Sequence, residues 1–363
     1  MKKNLFQLAL TFVLLWLSVS GWSQSQSQKS LIAPADVLQS ENLDSRQFES
    51  LADQWENQAR ANASNANAWL NWFDAERFSH YQNKMKVRTE SQKQELQSII
   101  SEMSQNVPNS AQLDYARFLL DPFSEPSFQH LENAYQKSSS EEVELDYIAY
   151  LKLKNKSERL RNKLQQLATK ELFSAVEMEY NRNVLVSVPK DGVLLTHGNS
   201  DTFPLLIWQE LEGFRTDVVV INIEWLNNSE LRKELFERLG LALPNLPNGN
   251  EYHYANNILM NEGTHPVSIA LTFPPAFLQQ HQNRLNCAGL VFVNQKEFSP
   301  RDLMKNWFDF QLEHFTSTKG LNANYQFPLY LLDQYLAENG PERKRKDLAP
   351  YKALFPELFK NGQ

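Results

Sequence analysis

The sequence has 363 residues, enough for two or three domains that each bury a core. It carries 36 basic and 43 acidic side chains, a formal net charge of −7, which argues against nucleic acid or an anionic membrane surface as the main partner. Its single cysteine, Cys287, excludes an intramolecular disulfide and lies in an apolar context typical of an inert, buried thiol.

Residues 1–23 have the layout of a secretory signal peptide. Two lysines precede the apolar run 5–17, and small residues precede a cleavage point before Gln24. The run is short for a membrane span, and the alternative interpretation is an uncleaved anchor. Later segments are too short or too polar to span a membrane. We therefore expect an exported protein, and the lack of disulfides in so large a chain favours a bacterial periplasm.

Two segments with different compositions follow the signal. Residues 24–33 are rich in Ser and Gln and predict a disordered leader. Residues 34–180 contain no glycine and have apolar side chains at spacings of three and four, which predicts helices. Segment 113–119 (LDYARFL) recurs as 145–151 (LDYIAYL). This echo favours tetratricopeptide-like helical hairpins, and hairpins without a true repeat are the alternative.

From residue 181 the pattern changes to β-branched segments separated by helices, which predicts a small, mainly parallel α/β sheet domain over 181–298. The predicted strands are 183–187, 193–196, 218–223, 267–272 and 290–293, and the predicted helices between them are 203–212 and 228–239. A C-terminal helical segment follows over 299–363, with helices predicted at 301–315 and 325–338.

The candidate site is the loop 197–202, which joins a predicted strand to the start of a helix. Ligands gather at the carboxyl ends of strands in α/β sheets, and the free N–H groups of a helix start attract anions. For catalysis we consider His197 as a base or hydrogen-bond donor, Ser200 as a nucleophile, and Asp201 as an acid/base or as the organiser of the loop. The candidate ligand-binding residues are Gly198, Asn199, Asp201 and Thr202.

Residue types alone leave two interpretations of this loop open. Ser200 or Asp201 could cap the helix, because both are residue types that accept backbone N–H bonds at helix starts. Alternatively Gly198 and Ser200 begin a nucleophile elbow, although Thr202 stands where that motif ends in glycine. The sequence has no metal motif, P-loop or dinucleotide fingerprint, so we expect neither a metal nor a cofactor.

The segment 192–222 resembles a signature of large multi-span bacterial membrane proteins described as mannosyltransferase-like, which carry a domain of unknown function. It reads GVLLTHGNSDTFPLLIWQELEGFRTDVVVIN. His197, Asn199 and Ser200 depart from the family pattern, whereas 201–204 follow it. Weaker similarity extends the resemblance over about residues 175–363. The resemblance implies an α/β module that faces the periplasm, and it carries over no catalytic residue because the family's chemistry is expected in its membrane part.

Together these features predict a periplasmic binding or scaffold module of the cell envelope without catalysis of its own. We expect an envelope protein as partner, a glycan as a second class of ligand, and neither nucleic acid nor a membrane span after signal removal. The alternative is a hydrolase or glycan-acting enzyme that uses the loop 197–202.

Overall fold

A computed structural model describes residues 44–80, 88–138, 140–246, 249–261, 263–294 and 299–359. The predicted signal peptide 1–23 and leader 24–33 lie outside these ranges. Within them, none of the helices is both long enough and apolar enough to cross a membrane.

Eight helices form the N-terminal part of the described chain. They are α1 (Ser45–Ala61), α2 (Ala66–Ser79), α3 (Glu90–Asn106), α4 (Ala111–Leu120), α5 (Phe128–Lys137), α6 (Glu141–Leu153), α7 (Ser157–Thr169) and α8 (Ala175–Ser187). Most of them begin at a polar residue whose side chain accepts a backbone N–H of the first turn, which fixes where each helix starts. These residues are Asp44, Asn65, Thr89, Ser110, Ser140 and Ser174.

From α1 to α7, each helix packs against the next helix in the chain. The two echoed segments lie on α4 and α6, and a hydrogen bond of 2.7 Å from the Tyr115 hydroxyl to Asp146 joins these helices. Asp114, which stands at the equivalent position of the echoed segment on α4, instead forms an ion pair with Lys137 at 2.6 Å. The predicted helical part is therefore confirmed, while the tetratricopeptide-like repeat within it stays a prediction.

The sheet contains β1 (Val193–Thr196), β2 (Val219–Asn222), β3 (Val267–Ala270), β4 (Asn286–Cys287) and β5 (Val291–Asn294). Its strand order is β2-β1-β3-β5-β4. The first three strands are parallel to one another, whereas β5 is antiparallel to both β3 and β4. The predicted small α/β sheet is present, and it is mixed because the chain returns from β4 to β5 through a tight turn instead of a crossover helix.

Helices cover the sheet and complete the chain. They are α9 (Phe203–Glu210), α10 (Ser229–Arg238), α11 (Glu251–Met260), α12 (Pro275–His281), α13 (Pro300–Asp309), α14 (Gln326–Asn339), α15 (Glu342–Lys346), α16 (Ala349–Lys352) and α17 (Pro356–Phe359). Short 3-10 helices occupy Glu125–Ser127, Ile223–Asn227 and Gly320–Tyr325. Helix α9 packs against α7 and α8, which joins the sheet layer to the N-terminal helices.

Two predicted elements differ from the structure. The predicted strand 183–187 is the last part of α8, because a capping box at Ser174 starts a helix that continues through this apolar run and buries it. The predicted helix 301–315 ends at Asp309. There Asn183 binds both the N–H and the carbonyl of Gln311, at 2.9 Å for the N–H, and so holds the chain in an extended path.

Candidate functional site

The loop 197–202 leaves the sheet at the carboxyl end of β1. Because β1 lies between β2 and β3, the chain connections after β1 and β3 diverge at this edge. Such a topological switch point is where open α/β sheets bind ligands. The sequence therefore predicted the position of the loop in the sheet correctly, and its chemistry depends on what each side chain contacts.

Thr202 and Gly198 fix the shape of the loop. The Thr202 hydroxyl donates to the Gly198 carbonyl at 2.7 Å and shares a hydrogen bond of 2.7 Å with the Thr196 hydroxyl. Gly198 has a φ of 89°, a backbone conformation that favours glycine. The N–H groups of Thr202 and Phe203 donate to the Asn199 carbonyl. The hydroxyl of Thr202, which we considered as a ligand-binding residue, thus bonds to the loop itself and to the end of β1.

Asp201 is buried, with 7% of its surface exposed, and it accepts a hydrogen bond from the Thr272 hydroxyl. Thr272 follows β3, so this bond joins the loops at the ends of two adjacent parallel strands. Burial raises the pKa of Asp201 to about 7, and the Thr272 bond opposes that rise only in part. The residue before α9 makes no side-chain cap bond, so Asp201 contacts a neighbouring loop instead of capping the helix.

The histidine and the serine of the loop lie in different environments. His197 Nε2 is 2.8 Å from the hydroxyl of Tyr252 on α11, and the His197 ring lies near those of Tyr252 and Phe273. Ser200 is exposed, and its carbonyl accepts a bond of 2.9 Å from Asn181. The Ser200 side chain makes no hydrogen bond to a histidine within the described ranges. The described loop therefore lacks the serine–histidine pair of a nucleophile elbow.

Arg215 organises the second half of the segment 192–222. Its guanidinium donates to the carbonyls of Leu185, Val188 and Pro189 at the end of α8, at 2.6, 2.9 and 3.2 Å. It also pairs with Asp217 at 2.8 Å and lowers the pKa of that carboxyl to about 2. The turn thus explains why arginine stands at position 215: the two-pronged guanidinium donates hydrogen bonds to several carbonyls at the end of α8 at once.

Gln209 stabilises the same turn. Its side-chain amide donates to the carbonyls of Arg215 and Val218, both at 2.8 Å, and this holds the turn against α9 just before β2 begins. Several residues of the segment therefore have structural roles that sequence patterns alone did not distinguish from ligand binding.

The structure also contains a cleft that sequence reasoning missed. Its volume is about 540 Å³, and it runs along the outer edge of β2, between that strand, the end of α6 and α10. Residues on its walls include Lys152, Lys154, Thr216, Val220, Leu231 and Glu234. Together with Gln209 and Glu210, the lining residues come from four separate parts of the chain, so no local motif marks the cleft.

The backbone of β2 presents hydrogen-bonding groups to this cleft. The Val219 N–H donates to the Gly192 carbonyl at 2.9 Å, so Val219 faces β1. Backbone groups alternate in direction along a strand, so the N–H and the carbonyl of Val220 face the opposite side. Within the described sheet β2 is an edge strand, and that opposite side is the cleft.

Comparison with known proteins identifies one module. Residues 177–232 match the family model of TMEM260-associated domain 2, a domain of unknown function. No curated protein and no solved structure matches the chain. The matched range runs from α8 into α10, so it includes the loop 197–202, Arg215 and the edge strand of the cleft.

Proposed function

We propose that this chain is an exported, non-catalytic binding protein of the bacterial cell envelope that holds an extended segment of a partner protein in the cleft beside β2. The observation that carries the proposal is the edge of β2, which has no strand partner in the described sheet and lines a cleft of about 540 Å³. The loop 197–202 supports the non-catalytic part of the proposal, because Asp201 and His197 already make hydrogen bonds inside the protein.

An extended peptide fits this cleft better than a compact ligand does. A peptide strand pairs through its backbone with an exposed sheet edge, and its alternate side chains enter pockets beside that edge. Here the backbone groups of Val220 face the cleft without a strand partner in the described sheet, and the partly exposed Leu153 and Leu231 offer apolar contacts on the walls. The volume lies within the usual range of about 300–1,000 Å³ for ligand clefts.

The charges of the cleft favour a partner segment with basic ends. Lys152 is paired with Glu210 at 2.6 Å, and Lys154 is paired with Glu125 at 2.6 Å. Glu234 is exposed on the cleft wall, and within the described ranges it makes no ion pair. A lysine or arginine of the partner would therefore meet an acidic wall whose own cations are already neutralised.

This proposal predicts binding of the labelled peptide Lys-Val-Thr-Val-Thr-Val-Lys with a dissociation constant of about 10–100 µM, measured by fluorescence anisotropy at low salt. Glu234→Lys should weaken binding about three- to fivefold, the effect of one rim charge. Glu237→Lys, also exposed on α10 but not on the cleft wall, should bind as the wild type does.

A second peptide tests the backbone pairing itself. Replacing the central Val of the probe by Pro removes one N–H donor and should abolish measurable binding. Equal affinities for the two peptides, or equal affinities of the Glu234→Lys and Glu237→Lys variants, would contradict docking at the β2 edge.

Export is part of the proposal and rests on the pattern of residues 1–23. After expression in a bacterium, the protein should be found in the periplasmic fraction, and its intact mass should correspond to a chain that begins at Gln24. A full-length mass in the membrane fraction would favour the uncleaved anchor instead. A link to envelope glycan assembly is supported by the resemblance of 192–222 to mannosyltransferase-like proteins.

Asp201 favours a second candidate function, an enzyme that acts on a glycan or an ester at the loop 197–202. A carboxyl whose pKa lies near 7 at a topological switch point is suited to general acid/base chemistry. Its burial requires the loop to open before a substrate can reach it. An Asp201→Asn variant that folds normally but loses a hydrolytic activity of the wild type would favour this candidate over the binding module.

A further inference from the structure

Three side chains at one end of α2 form a cluster that is distinct from the cleft and the loop. Glu76 and His80 are four residues apart, so they lie on the same face of the helix, and Glu95 reaches them from α3. One ligand atom from each residue lies within 4.8 Å of the other two. None of the three residues lines the cleft.

We propose that Glu76, His80 and Glu95 bind a divalent metal ion of the zinc type. Imidazole nitrogen and carboxylate oxygen are donors that zinc accepts at about 2.0–2.2 Å. Ligands bound at that distance lie about 2.8–3.6 Å apart when the angle at the metal is between octahedral and tetrahedral. The distances from His80 Nε2 are 3.0 Å to Glu76 Oε1 and 3.2 Å to Glu95 Oε2, and both fit this requirement. The ligand atoms of Glu76 and Glu95 lie within 4.8 Å of each other, so a bound ion would draw them together by up to about 1–2 Å.

Charge and burial favour a cation at this position. The His80 side chain is 6% exposed and Glu76 is 19% exposed, so two of the three donors are held in place by packing, while Glu95 at 54% leaves a path from solvent. Two carboxylates and a neutral imidazole balance one divalent ion. His80 is also the C-cap of α2, and the negative end of a helix dipole stabilises a cation there.

The same distances also suit a metal-free cluster in which a protonated His80 pairs with both carboxylates. Titration with zinc distinguishes this ion-pair cluster from a metal site. Tag-free, chelator-treated protein at pH 7.5 should bind one Zn²⁺ per chain in calorimetry, with a dissociation constant at or below the micromolar range. Glu95→Gln and His80→Gln should each weaken binding at least tenfold. Glu90→Gln, an exposed change on α3, the helix that carries Glu95, should leave the zinc binding unchanged.

Thermal unfolding and cobalt absorption give independent readouts. At the same Zn²⁺ concentration, the melting temperature should rise equally in the wild type and in Glu90→Gln, and by less in Glu95→Gln. Co²⁺ should show the visible bands of a protein-bound ion in the wild type and in Glu90→Gln, and weaker bands in Glu95→Gln at the same concentration. Lack of Zn²⁺ binding at 100 µM, or equal binding by the wild type and Glu95→Gln, would overturn the proposal. Glu95 is half exposed, so its variant tests the site even if His80→Gln fails to fold.

Discussion

Replacing Arg215 by alanine is expected to lower the free energy of unfolding by about 2–4 kcal/mol. The guanidinium satisfies three carbonyls at the end of α8 and pairs with Asp217, and alanine would leave all four groups without this donor. Urea denaturation followed by circular dichroism measures the change. Arg238→Ala, at an exposed position on α10, should change the free energy by less than about 0.5 kcal/mol.

The pH dependence of the Arg215 effect is a further part of this prediction. Arg215 lowers the pKa of Asp217 to about 2, below the unfolded value of about 3.9. A lowered folded pKa stabilises the protein above the unfolded value, and that stability is lost as the pH falls towards 2. The difference between wild type and Arg215→Ala should therefore shrink between pH 5 and pH 2. A constant difference over that range would mean that the carbonyl contacts alone account for the effect.

Asp201→Asn is expected to make the protein more stable than the wild type at pH 8, by an amount on the order of 2–4 kcal/mol. Burial raises the folded pKa of Asp201 to about 7, while the unfolded value is about 3.9. The native state therefore binds more protons between these values, and stability falls as the pH rises through about 7. Asparagine stays neutral and can still accept the hydrogen bond from Thr272.

The difference between variant and wild type separates the contribution of Asp201 to the pH dependence of stability from the contributions of two other buried carboxyls. Burial also raises the pKa values of Asp146 and Glu251 to about 7, and both residues remain in the variant. The gain in stability should disappear below about pH 4, where Asp201 is protonated in both states. Asp53→Asn, an exposed change on α1, should show no such pH-dependent gain. A variant less stable than wild type at pH 8 would contradict a buried, neutral Asp201.

The strands and helices that flank the loop 197–202 could be predicted because their signals are local. A β-branched run predicted β1, and Pro204 one residue into a helix together with a following glycine predicted α9. The apolar run 183–187 was predicted wrongly, because its residue types fit a strand and the capping box that starts the helix lies about ten residues earlier. Helix α11 has no comparable periodic signal, and it was not predicted.

The contacts of the site depend on tertiary structure and were not predictable in the same way. His197 contacts Tyr252 and Asp201 contacts Thr272, which lie 55 and 71 residues further along the chain. Residue types at the loop favoured capping over catalysis, and only the position of Thr272 after β3 explains why Asp201 does not cap α9. The cleft beside β2 is likewise formed by segments that are far apart in sequence.

Helix α8 belongs to both parts of the fold, since it crosses the boundary predicted between residues 180 and 181. It packs against α9, which also contacts α7, while Asn183 on its last turns bonds to Gln311 and to the Tyr325 hydroxyl in the C-terminal segment. A cut at residue 180 would divide this helix, which joins the C-terminal segment to α9 and, through α9, to the N-terminal helices. The described chain should therefore unfold as one cooperative unit, and a fragment that contains only the sheet should not retain its native structure.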